Sequence, residues 1–154
     1  MLSLRSPHTI AQELFGATDI AQLQPGHRWP AREISGDCVF LDARQALSEL
    51  RGRDVPLAQL GQNWWIFAAS GTGDAWLMSL DGQQGIGFLD HAAGPDAVVQ
   101  PMALDFGQWL QLADLMRQWE TLADELDEEA LAAPLNALME QISPGLSQRY
   151  PYAI

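Results

Sequence analysis

Helices at both ends of the chain and an antiparallel meander between them make α+β the fold class this sequence predicts. Two observations carry the prediction. Between Trp64 and His91, three short runs of aromatic and branched residues, WWIFAAS, DAWLMSL and GIGFLDH, are separated by the turn-forming stretches GTG and DGQQ, the sequence form of successive hairpins. Outside that block, apolar residues recur every three or four positions behind residues suited to helix caps. A length of 154 residues with 47% hydrophobic content supports one core and is short for two, so a single domain over 1–154 is expected.

At the N-terminus, Ser6 and Pro7 supply an N-cap and a first helical residue for HTIAQELF, with Ile10, Leu14 and Phe15 on the apolar face and Gly16 to end it. DIAQLQ adds at most another turn, and PGHRWP reads as loop. Strand signals begin in REISGDCVFLD, residues 32–42. The following ARQALSELRGR reads as a helix with Ala43, Ala46, Leu47 and Leu50 on one side. DVPLAQLGQN then connects to the meander. In the first meander strand, strict alternation puts Trp65, Phe67 and Ala69 on one face and Trp64, Ile66 and Ala68 on the other. Both sets are apolar, so the strand is expected to be central and covered on both sides.

After AAGPD, the run AVVQPM offers a further strand, and Pro101, which donates no ladder hydrogen bond, puts it at an edge. The clearest boundary follows. Asp105 is a good N-cap, Gln108 completes a capping box, and Leu104 and Trp109 hold the positions of a hydrophobic staple. The helix so opened carries a stripe of Trp109, Leu112, Met116, Trp119, Ala123 and Leu126. Pro134 is expected to begin another helix, PLNALMEQI, before a polar tail, SPGLSQRYPYAI.

The net charge is −12, and all eight cationic residues are arginine. A field of that sign repels nucleic acid and anionic membranes and attracts a basic partner. No apolar run reaches the roughly 20 residues a bilayer span requires, and the start of the chain lacks the form of a signal peptide, so a soluble, cytoplasmic protein is expected. Cys38 is the sole cysteine, which excludes an internal disulfide and a cysteine-rich zinc site. It is read as a small apolar residue of its strand.

SGTGDAW looks at first like a phosphate-binding loop. A P-loop needs a lysine, which the chain lacks, and a dinucleotide fingerprint needs a third glycine opening a helix where DAWLMSL reads as a strand. Gly71 and Gly73 are therefore read as residues permitting positive φ in a tight connection, with Asp74 capping the turn. Asp90 beside His91 suggests acid–base chemistry, yet neighbours on a strand point to opposite faces. Ser70 with His91 and an aspartate lacks the nucleophile elbow of a hydrolase. His8 and His27 have no partner spacing that suggests zinc. No catalytic residue, metal or cofactor is assigned.

The acidic run ETLADELDEEA places Glu120, Asp124, Glu125, Asp127, Glu128 and Glu129 within a few turns and offers no basic residue to pair with them. On a continuous helix, like charges at i,i+4, as in Glu120–Asp124 and Asp124–Glu128, cost a few tenths of a kcal/mol each. A basic partner would neutralise them.

Taken in order, WWIFAASGTGDAWLMSLDG, a strand ending GFLDH, a loop, and a helix entered at ALDFGQWLQL resemble the SUKH superfamily, named partly after the yeast Smi/Knr regulators of cell-wall assembly. The family's Gly-Asp turn, its Asp-His strand end and its Ser-Phe-type helix start correspond to Gly73-Asp74, Asp90-His91 and Asp105-Phe106. The resemblance covers about residues 38–115. In place of the family's Leu-Pro helix and Asn-Gly turn stands HRWPAREISG, and an acidic helical extension occupies about 105–142.

The resemblance implies an α+β domain with a mainly antiparallel central sheet and helices packed around it, and a non-enzymatic binding role. Bacterial members are commonly immunity proteins that neutralise polymorphic toxins, often nucleases, by direct binding. A basic protein partner such as a toxin nuclease domain is thus expected, with no nucleic acid or membrane partner. The acidic residues named above form its surface, and Asp74, Asp90 and His91 are further candidates. The alternatives are an intracellular regulatory or scaffold protein of the same fold and a small hydrolase built on Asp74, Asp90 and His91.

Overall fold

A computed structural model describes residues 1–16, 30–51, 64–80, 85–92 and 98–152, with the side chains of 50 and 51 excepted. Expectations for DIAQLQ, for most of PGHRWP including His27 and Trp29, for DVPLAQLGQN and for DGQQ lie outside the described residues. The chain is α+β. Its elements run α1 (Pro7–Phe15), β1 (Arg32–Ser35), β2 (Cys38–Phe40), α2 (Ala43–Arg51), β3 (Trp64–Ala69), β4 (Ala75–Ser79), β5 (Ile86–Leu89), β6 (Gln100–Pro101), α3 (Phe106–Ala123), α4 (Glu128–Ile142) and α5 (Leu146–Arg149). They group into two compact units, one of Met1–Ile20 with Leu104–Ile154 and one of Ala21–Ala103. None of the described helices is long and apolar enough to cross a membrane.

Among the described residues of the sheet unit, six strands run antiparallel in the order β1-β2-β3-β4-β5-β6. The first strand signals resolve into a hairpin, β1 to β2, turning at Gly36 and Asp37. The edge strand β6 is exposed, as Pro101 requires.

Strict alternation fails inside β3. The register with β4 shifts between Ile66 and Ala68, so that Ile66 opposes Leu77 and Ala68 opposes Trp76. The extra residue exchanges the faces beyond it. Trp64 and Ile66 therefore share an apolar cluster with Ala69, together with Leu41, Ala46, Ala75, Leu77, Leu89 and Val99. On β4 and β5, Trp76 and Phe88 meet edge to face with ring centroids 5.0 Å apart. Phe40 and Phe67 lie 6.0 Å apart. The lone thiol, Cys38, is fully buried in β2.

The helix after β2 packs on β3, with Ala46 buried but Leu47 47% exposed and Ala43 exposed, so only part of the expected face is used. Its entrance carries a feature that the sequence reading passed over. Asp42 Oδ1 accepts from Gln45 N at 2.8 Å while Asp42 N donates to Gln45 Oε1 at 3.1 Å, a capping box.

In the helical unit, α1 and α4 pack on α3, and α5 on α4. Ser6 caps α1, and Gly16 ends it at φ 64°. The long helix begins as expected, with Gln108 N donating to Asp105 Oδ1 at 2.7 Å and Asp105 N to Gln108 Oε1 at 2.9 Å. The same Gln108 side chain donates through Nε2 to Ile142 O at 2.9 Å, tying the start of α3 to the end of α4. Trp109, Leu110, Leu112, Ala113, Leu115 and Met116 are buried on α3. Asp114 is buried with them, held by Arg117, by Gln118 and, at 3.7 Å, by Arg5.

Three expectations in this unit are corrected. The acidic run is not one helix: α3 ends at Ala123 and α4 starts at Glu128. Pro134 lies inside α4 rather than opening a helix, since Asp127 already caps it by accepting from Glu129 N. The supposed polar tail contains α5, with Leu146 and Tyr150 buried.

Among the described glycines of the sheet unit, Gly87 meets the tightest approach. A Cβ there would stand 2.4 Å from Val99 Cγ1 and 3.2 Å from the Trp64 ring, and a β-branched valine has little rotameric freedom to give way. Gly87→Ala is expected to cost about 2 kcal/mol of stability, read as a lower urea midpoint.

Candidate functional site

The Ser70-Gly71-Thr72-Gly73-Asp74 turn joins β3 to β4, and its geometry follows from its residue types. Ser70 N donates to Asp74 O at 2.9 Å and Gly73 N to Ser70 O at 3.2 Å. Gly73 has φ 96°, which glycine adopts without strain. Gly71 serves a different purpose from the one expected. Its N donates to Gly36 O at 2.9 Å, and a Cβ would lie 3.2 Å from that oxygen, so it is the close approach of two backbones that calls for glycine. The β1–β2 turn is held a second time by Trp76 Nε1 donating to Asp37 O at 2.7 Å.

Asp74 lies at the centre of this end of the sheet, 5% exposed. Its Oδ2 accepts from Ser70 Oγ at 3.2 Å and Thr72 Oγ1 at 3.1 Å. Its Oδ1 accepts from His91 N at 2.9 Å and His91 Nδ1 at 2.6 Å. A carboxylate offers about four acceptor directions, and here four donors meet them. A carboxylate has no proton to give, so Nδ1 is the donor in this contact. The His91 side chain is half exposed.

The ladder explains the meeting. Ala75 opposes Leu89, so the residues just beyond, Asp74 and Asp90-His91, face one another at the strand ends. β5 stops at Leu89, and the alternation that should have separated Asp90 from His91 stops with it. Asp90 Oδ1 accepts from Ala92 N at 2.8 Å and stands 3.8 Å from His91 Nδ1. The structure thus brings Asp74, Asp90 and His91 together. Asp37, which the sequence reading missed, lies near enough for Asp74 to act on it: burial first, then the negative charge of Asp74, pushes its carboxyl above the usual range. A two-residue Gly-Asp turn between strand signals was the feature that pointed to it.

Chemically, this arrangement orients an imidazole and ties a turn to a strand end. Ligand-type atoms of Asp74, Asp90 and His91 lie within 4.8 Å of one another, the span of a metal site, yet the Asp74 carboxylate already takes four internal donors, His91 Nδ1 among them. Ser70 is not arranged as a nucleophile: its Oγ engages Asp74 Oδ2 and accepts from Thr72 N and Asp74 N.

The acidic residues lie in the other unit, at the α3–α4 junction. Glu120 is half-buried on α3, while Asp124, Glu125, Asp127, Glu128 and Glu129 are exposed. Among the described residues none of these five makes an ion pair. Asp124 closes α3, and Asp127, Glu128 and Glu129 occupy the start of α4. There the helix dipole favours negative charge by about 0.3–1 kcal/mol each. Asp124 and Glu128 do not share a helix, so the expected i,i+4 pairing within one helix is not formed. Leu126, expected in the apolar stripe of α3, lies between the helices and is 47% exposed. Trp64 and Trp109 are core residues.

No protein-family model, curated protein or solved structure matches this chain.

Two outcomes are expected at the Asp74 cluster. Asp74→Ala strands the donors of Ser70, Thr72 and His91 and is expected to lower stability by about 3 kcal/mol, measured by urea denaturation. For Asp37, a folded pKa above the unfolded one means that the folded chain holds the proton longer, so stability falls as pH rises through the interval between the two. Asp37→Asn is expected to abolish that fall, the variant having the higher midpoint at neutral pH and converging with the parent below about pH 3.

Proposed function

We propose that this chain is a non-enzymatic binding protein of the SUKH immunity type, acting in the cytoplasm by direct contact with a basic toxin domain, a nuclease being the case the resemblance suggests. The observation that carries this reading is the α3–α4 junction: five exposed carboxylates, without an ion pair among the described residues, in a chain of net charge −12. Opposed charge steers association and makes it sensitive to salt. Asp124, Glu125, Asp127, Glu128 and Glu129 form the contact surface, with half-buried Glu120 beside them on α3; in the sheet unit the exposed Asp90 and half-exposed His91 remain candidates, whereas Asp74, expected among the partner-binding residues, is buried and taken up by internal donors and is withdrawn.

Affinity capture from the producing host at low salt, followed by a salt gradient, tests the reading. Release of one basic toxin domain as salt rises supports it, whereas recovery of housekeeping proteins favours the regulatory or scaffold alternative. With the captured partner, Asp124→Ser, Glu125→Ser and Glu128→Ser together are expected to slow association about tenfold at low salt and flatten its salt dependence. Unchanged association kinetics would remove the junction from the interface.

The Asp74–His91 pair favours a second reading, a small hydrolase in which Nε2 takes a proton from water. That reading requires turnover of simple activated esters that His91→Gln abolishes; absence of turnover by the parent chain ends it.

A further inference from the structure

We draw no further inference here: the strongest candidate, the Asp74–Asp90–His91 cluster at the β3–β4 turn and the end of β5, is accounted for by hydrogen bonds among its own side chains and backbone, and no second observation points to an ion or substrate there.

Discussion

A carboxylate removed from water must recover its lost solvation from the protein, and Asp74 does so through four donors drawn from two strand ends. That requirement organises one end of the sheet. Ser70 and Thr72 are held over the turn because their hydroxyls are needed there. His91 is drawn back across the end of β5 because its backbone and ring nitrogens supply the other two bonds. The β1–β2 turn joins the same assembly through Gly71 and Trp76. Three chain segments far apart in sequence are thereby fixed around one buried charge, and the half-exposed imidazole is a consequence of that arrangement.

The same need to satisfy polar groups governs the helix ends. Asp42 with Gln45 and Asp105 with Gln108 form identical reciprocal pairs, and Gln108 spends its remaining amide on the last turn of α4. At the α3–α4 junction the acidic side chains are partly explained in this way. Asp127 caps α4, and Glu128 and Glu129 sit where its dipole accepts negative charge. Asp124 and Glu125 lie outside that benefit. Their charge stands exposed at the C-terminal end of α3, where the dipole does not favour it.

Burial inside the helical unit follows a different compromise. Asp114 is as inaccessible as the leucines around it, and it is tolerated because Arg117 and Gln118, one turn further along the helix, bring their donors to it. Gln118 also brackets the backbone of Ser3, donating to its oxygen at 2.9 Å and accepting from its nitrogen at 3.0 Å. Gln111 donates to Arg5 O at 3.0 Å. The first residues of the chain are thus laid along α3 by side-chain amides.

Much of the fold was legible because it depends on neighbours in sequence. Ser6-Pro7 and Gly16 bound α1, Asp105 with Gln108 opens α3, and the turn-separated apolar runs give β3, β4 and β5, since caps and turns are decided within a few residues. The bulge in β3 was not legible: whether Ala69 joins Ile66 or Phe67 is set by packing against β4, to which either alternation was open. Nor was the break at Asp124, where capping of α4 by Asp127 prevailed over a continuous acidic pattern. Asp74 and Asp90-His91 could each be singled out from the sequence, but their convergence, and the place of Asp37 beside them, belongs to the ladder that sets Ala75 opposite Leu89. The sequence by itself determined the local elements and the sign of the surface charge, which are sums over nearby or independent residues. Tertiary structure alone decided which charges are buried together, because that follows from strand register, a property of pairs of segments and not of either one.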